Sequence, residues 1–316
     1  MGGLGYTFTS GATEAWAADE IGAERAGEAY LRGSKAAQMG ALVAVPISVA
    51  LGSAAINLPI VLGGASMIML ALLMSLAMTE KGFVPTPAGE RTTRAMMRKT
   101  AGDACQLVRC RPVILPLLGV SLFYGLYSEG SDRLWTAHLL NRFAFPLAKA
   151  VKPVVWLGVI RAVLLVLGLV TTEIARRRVD ARRSRPLART LMFNAGLIIM
   201  GLAGFGLVRS FWLAVVLLGV VDVCRSVTAP LHTAWLKLQI DDSQVRATLF
   251  SVSSQVDALG QIAGGPAVGA IGNLSIRAAL VASSVLLPPV LPLCVAAFRR
   301  YDGRSRLPEG AGLGQG

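Results

Sequence analysis

The sequence predicts an all-α, polytopic membrane helix bundle. Three observations carry that prediction. Apolar residues fill 54% of the 316 positions and charged residues only 16%, where a soluble domain carries about 25% charge. The mean hydropathy is +0.59. The apolar positions run in continuous stretches of about 20 residues, the length that crosses a bilayer as a helix. They do not alternate as in a membrane β-barrel. The shortage of charge also excludes a disordered chain. A net charge of +13 fits either nucleic acid binding or membrane topology, and the placement of the basic residues decides.

Nine candidate spans follow in order: 1–18, 38–56, 58–79, 112–131, 151–174, 187–208, 210–235, 248–272 and 275–298. The first, MGGLGYTFTSGATEAWAA, is short, rich in Gly and Thr, and holds Glu14. It lacks the basic n-region of a cleavable signal peptide. Pro46, Pro116, Pro230, Pro266 and Pro288 fall inside spans, where neighbouring helices tolerate such kinks.

The loops alternate in basicity. Stretches 20–37, 80–111, 175–189, 236–247 and the tail hold 23 of the 31 Lys and Arg residues. The positive-inside rule places these loops and the C-terminus in the cytoplasm, and nine spans then put the N-terminus outside. The charge is a topology signal, and no nucleic-acid partner is expected. In the long connector 80–111, Met97, Ala101, Ala104 and Val108 recur at helical spacing among Arg94, Arg98, Lys99 and Arg109. That pattern reads as a basic amphipathic helix on the inner leaflet, with membrane lipids as its partner. A solvated linker helix is the plainer reading. The tail 299–316 reads as disordered. Cys105 and Cys110 lack paired CxxC spacing, and His138 and His232 are the only histidines. Neither a metal site nor a cofactor is expected.

An internal repeat organises the chain. Residues 40–52 read GALVAVPISVALG and residues 260–272 read GQIAGGPAVGAIG. Gly40 matches Gly260, Ala44 stands for Gly264, and Pro46 matches Pro266. Upstream, Glu20 and Arg25 match Asp241 and Arg246 in the cytoplasmic loops. The first two spans thus correspond to the seventh and eighth, with nothing in the first half to match spans four to six. The chain reads as a partial first half, 1–79, the connector 80–111, and a complete six-helix half, 112–298.

On these residues the chain resembles the major facilitator superfamily, most of all its drug-efflux, tetracycline-resistance-like branch. That family has twelve helices in two six-helix halves joined by a long cytoplasmic loop. The resemblance covers nearly all of residues 1–298, as helices four to twelve, with the first three helices absent. Upstream sequence in the same reading frame is expected to encode them; an inactive, truncated product is the competing expectation. Gly260, Gly264, Pro266 and Gly269 look like the family's antiporter motif. The family carries that motif in helix five, whereas here the helix-five copy (Gly40, Ala44, Pro46) is degenerate and the better copy falls in helix eleven. The Arg-rich stretch 176–189 stands at the family's loop between helices eight and nine without a clean GxxxD(R/K)xGRR pattern. The resemblance implies a monomeric plasma-membrane carrier that exports small molecules, coupled to protons, by alternating access.

Charges at bilayer depth need a partner or an aqueous cavity. Glu14, Glu129, Arg161, Asp222, Arg225 and Asp257 qualify, with Asp132 and Arg133 at the outer edge of the fourth span. Asp222 and Arg225 share a helix face at i, i+3, either as a self-neutralising pair or as a substrate or proton site. Asp257 lies on a polar stripe with Ser253, Ser254 and Gln261, and Gln255 stands beside it. The stripe lines a cavity or glues helices. Glu129, Asp132 and Arg161 read as an outer gate or a static anchor, with Arg161 able to neutralise either acid. Tyr127, with Tyr124, Phe123 and Trp156, suits an aromatic-lined cavity or ordinary packing. A lipid-modifying enzyme is the remaining alternative, resting on Asp241 and Asp242 alone, without DDxxD, HExxH or GxSxG.

Overall fold

The computed structural model describes residues 20, 23–78, 102, 113–147, 150–180, 183–238 and 243–305. The first span with Glu14, the amphipathic connector, Asp241 and the end of the tail lie outside the described residues. So do the side chains of Arg25 and Arg246, although both positions are helical.

Among the described residues there is no strand. The helices are α1 (Ala23–Ala54), α2 (Leu58–Ala77), α3 (Ile114–Arg142), α4 (Pro153–Arg178), α5 (Ser184–Leu207), α6 (Phe211–Lys237), α7 (Ser243–Leu274), α8 (Ile276–Val285) and α9 (Val290–Ser305). Six segments are long and apolar enough to cross a membrane: Ala36–Ala54, Leu58–Leu76, Pro153–Arg178, Ser184–Leu207, Phe211–Lys237 and Ile276–Arg300. The chain is therefore all-helical with the architecture of a multi-pass membrane protein. Polar residues share the interior with an apolar core, and many large apolar side chains lie on the surface. Ser121, Ser131, Asn194, Thr228, Ser253, Ser283 and Ser284 are buried, while Ile60, Met67, Leu76, Val163, Phe193 and Met200 are exposed. Small and polar residues inside with large apolar ones outside is how helices pack in lipid.

The ninth expected span is broken. Pro288 and Pro289 cannot donate to the helical ladder, and α8 stops at Val285 before α9 resumes at Val290. Backbone bonds cap α8, the last in a tighter turn: Leu286 N donates to Ala282 O (3.2 Å) and Leu287 N to Ser284 O (3.4 Å). Residues 299–305, expected to be disordered, are helical, because α9 continues to Ser305; residues 306–316 lie outside the described residues.

The chain forms two compact units, Met1–Thr93 with Lys149–Ala162, and Arg94–Ala148 with Val163–Gly316. The expected boundary at the connector misses that residues 149–162 group with α1 and α2. Small residues cause it. A Cβ on Gly52 would lie 3.3 Å from Val154 Cγ2, and one on Gly158 would overlap Val49. The start of α4 therefore fits against α1, and Lys152 Nζ donates to Ser53 O across the same contact. In that unit α2 is exposed on nearly every side. Its serines satisfy themselves, Ser66 donating to Leu62 O and Ser75 to Leu72 O (both 2.8 Å), so no polar group on it needs a partner in lipid.

The larger unit is built on α3 and α7, its most extensive helix pair. The two run parallel and touch through backbone. A Cβ on Gly264 would lie 3.0 Å from Leu126 Cα, one on Gly260 would lie 3.1 Å from Gly125 Cα, and one on Gly125 would lie 3.1 Å from Gln261 N. Ser121 and Ser253 close the pair with a buried 2.8 Å hydrogen bond. An antiparallel hairpin of α5 and α6 stands beside it. Gly201 admits Val221, Gly204 admits Leu217, and Trp235 Nε1 donates to Ser184 Oγ at 2.8 Å.

Pro230 shows how a membrane helix survives a proline. It lacks the N–H that would bond Ser226 O four residues back. Thr172 on α4 donates to that carbonyl instead, at 3.2 Å. Gly168, one turn earlier on α4, brings the helices close enough, since a Cβ there would lie 3.3 Å from Ser226 Oγ.

Candidate functional site

The polar centre of the larger unit gathers on α3, α6 and α7. α3 is 29 residues long and spans about 43 Å at 1.5 Å per residue. It was expected to end at 131, which put Asp132 at the membrane's outer edge. The helix instead continues to Arg142, so Asp132 lies near its middle. The run SEGSDR does not stop the helix because its polar groups are paired. Ser128 donates to Gly125 O (2.9 Å), Glu129 holds Arg133 one turn on, and Asp132 reaches another helix.

That other helix is α6. Arg225 stands at its midpoint and donates through both terminal nitrogens to the two oxygens of Asp132, at 2.5 and 2.7 Å. Its Nη1 also approaches Ser131 Oγ at 3.3 Å. The guanidinium carbon lies 5.8 Å from the Tyr127 ring centroid, within cation–π range. Local spacing suggested Asp222 as the partner of Arg225; the fork is filled by Asp132, 93 residues away. Tyr127 is buried, and Tyr124 packs edge-on against it at 5.7 Å. The Tyr124 hydroxyl is buried beside Thr228 without a hydrogen bond. Thr228 donates to Cys224 O (2.7 Å) and accepts from Asn194 Nδ2 (3.3 Å).

A second tie joins α3 and α6 nearer the start of α3, where His232 Nε2 lies 3.2 Å from Leu117 O. The α3–α6 pair is therefore bridged by side chains at two levels, with Tyr124 and Tyr127 between. The α3–α7 pair is in direct backbone contact. The two interfaces differ in kind: one is a backbone seam, the other a set of side-chain contacts.

Asp257 stands at the middle of α7, half-buried, and accepts from Gln261 Nε2 at 2.8 Å. Of the predicted polar stripe, Ser253 is buried in the helix pair and Gln261 serves Asp257. Ser254 and Gln255 are exposed. The motif glycines also divide. Gly260 and Gly264 lie in the seam, while Gly269 and Gly40 have nothing within 4 Å of a built Cβ. Pro266 and Pro46 are exposed within their helices. Arg161 falls in the part of α4 that belongs to the smaller unit; the cations on Glu129 and Asp132 within the larger unit are Arg133 and Arg225. Glu20 is half-buried.

Sequence reasoning did not find Gly125, His232, Asn194 or Thr228. Gly125 carried a signal, because Ser121 and Gly125 form a small pair at i, i+4 that complements Gly260 and Gly264. Asn194 and Thr228 gave none, being single polar residues in apolar runs.

No protein-family model, curated protein or solved structure matches this chain. Fold and site together define a class only: a multi-pass helical membrane protein with an ionised, partly buried polar centre.

Proposed function

We propose that the chain is a secondary active transporter of the major-facilitator type, exporting small molecules across the plasma membrane by alternating access coupled to protons, with its C-terminus in the cytoplasm. The observation that carries this reading is the two-point ion pair of Arg225 and Asp132 in mid-helix. Charges at that depth are costly, and in membrane proteins they mark substrate and ion pathways. Asp257 adds a second carboxylate, on α7, which accepts from Gln261 and lies within the electrostatic reach of Arg225. A carboxylate in that setting is suited to exchanging a proton as its surroundings change.

The interfaces support a moving part. α3 and α7 form a block through Gly125, Gly260 and Gly264. α6 is tied to that block by Arg225–Asp132 and His232–Leu117, contacts that break by side-chain rotation. Opening one tie while the other holds gives access from one side at a time. Tyr124 and Tyr127 lie between the ties, where Tyr127 is buried; opening a tie would bring their rings to a small apolar solute.

The test is a transport assay on the protein in proteoliposomes with an imposed pH gradient. A panel of lipophilic cations and neutral drugs should show gradient-dependent flux that an uncoupler abolishes. Absence of gradient-dependent flux for every compound would overturn the reading.

A further inference from the structure

The connection between α4 and α5 carries the densest charge in the chain. Residues 176–189 include seven arginines, and only Glu173 and Asp180 stand among or beside them. Glu173 engages Arg176 and Arg177 (2.7 and 2.6 Å), and Asp180 engages Arg183 (3.3 Å). Arg178, Arg185 and Arg189 are exposed, and among the described residues no carboxylate pairs with them.

What surrounds these arginines separates a lipid from other polyanions. On α5, Arg185, Arg189, Phe193 and Met200 share one face, and Phe193 and Met200 are 66% and 65% exposed. The opposite face is closed, with Leu187, Ala188 and Leu191 buried. On α4, Val163, Leu167, Val170 and Ile174 form an exposed stripe that ends in Arg177 and Arg178. Each helix thus presents an uncovered apolar track leading into exposed arginines, Arg185 and Arg189 on α5 and Arg178 beside the Glu173-bound Arg177 on α4, and five residues, 179–183, join the two arginine ends. A phospholipid has that shape: an anionic phosphate continuous with apolar chains. Guanidinium forks match phosphate oxygens in two-point contacts, and exposed apolar residues at bilayer depth suit acyl chains. A free anion or a nucleic acid would engage the arginines without the adjoining apolar tracks.

We propose that the α4–α5 connection is a binding site for an anionic phospholipid, its phosphate held by Arg185 and Arg189 with Arg177 and Arg178, and its chains lying along the exposed faces of α5 and α4. The site rests on the membrane architecture alone and is independent of what the protein carries.

The experiment measures binding of fluorescent phosphatidylglycerol and fluorescent phosphatidylcholine to the purified protein in neutral detergent. Phosphatidylglycerol should bind at least tenfold more tightly. Arg185→Gln with Arg189→Gln should weaken it about 30-fold, at the usual contribution of a basic residue near an anionic lipid surface. Arg177→Gln with Arg178→Gln gives a second, independent pair should the first fail to fold. Arg209→Gln, outside the cluster, should leave binding unchanged. Equal affinity for the two lipids would overturn the proposal, as would undiminished phosphatidylglycerol binding in both folded double variants. Displacement of the lipid by an equal concentration of inorganic phosphate or of an RNA oligonucleotide would also overturn it, by assigning the arginines to a free anion or a nucleic acid.

Discussion

Asp132 on α3 and Arg225 on α6 meet in a two-point ion pair near the middle of both helices, with contacts of 2.5 and 2.7 Å. This pair organises the polar centre. It lets α3 continue through SEGSDR, and it ties α6 to the α3–α7 block. Asp132→Asn removes the carboxylate from a guanidinium at bilayer depth. The variant should lose about 2–3 kcal/mol of stability, the cost of an unmatched charge there. Exchanging the pair, Asp132→Arg with Arg225→Asp, should recover at least half of the loss. Chemical denaturation in detergent micelles checks both. An exchange no more stable than the single variant would show that the pair does not act as a unit.

The α3–α7 seam separates glycines that must be glycine from those that need not be. Gly264→Val and Gly260→Val push a side chain into the backbone of Leu126 or Gly125. Each should destabilise the protein by about 2–4 kcal/mol, the range for forced overpacking with a shifted helix. Gly40→Ala and Gly269→Ala enter open space and should be neutral or stabilising by up to about 1 kcal/mol through helix propensity. Thermal unfolding of the four variants ranks them directly, and equal losses at all four positions would contradict the seam.

Thr172 and Pro230 form a coupled pair through the carbonyl of Ser226. Thr172→Val leaves that carbonyl without its donor and should cost about 1 kcal/mol, the mean worth of a hydrogen bond between membrane helices or slightly more. Pro230→Ala restores the N–H on α6. In that background Thr172→Val should cost nearly nothing. A double-mutant cycle on unfolding free energy measures the coupling, and additivity would refute it.

How much of this was legible in the sequence follows from the range of each signal. Helix positions rest on local apolar runs, so α4, α5 and α6 fall within a few residues of their expected spans. α3 was read eleven residues short because its polar stretch looks like a terminus until Arg225 is placed against it. The break between α8 and α9 was marked by Pro288 and Pro289 but hidden within an unbroken apolar run. The repeat pointed to Gly260 and Gly264, which do form a close contact, and equally to Gly40, which does not. Only the partner helix distinguishes these, and a repeat carries no information about partners. Asp132–Arg225, His232–Leu117 and Thr172–Ser226 join residues 54 to 115 positions apart. Periodicity within one helix cannot reach across such separations.

Asp257 is the position where stability and function should part. It is half-buried and hydrogen-bonded to Gln261, and Asn keeps its size and much of that contact. Asp257→Asn should therefore unfold within about 1 kcal/mol of the parent while losing coupled transport. A large loss of stability would mark the carboxylate as structural instead.

The most direct measurement is proton-gradient-driven flux in proteoliposomes, made side by side for the parent protein, Asp257→Asn, Asp132→Asn and the Asp132→Arg/Arg225→Asp exchange. The parent should move at least one small organic solute in a gradient-dependent way. Asp257→Asn should retain binding of that solute but lose the gradient dependence, and the exchanged pair should restore part of the flux lost in Asp132→Asn. Flux in Asp257→Asn and Asp132→Asn equal to that of the parent would contradict the assignment of the polar centre to transport.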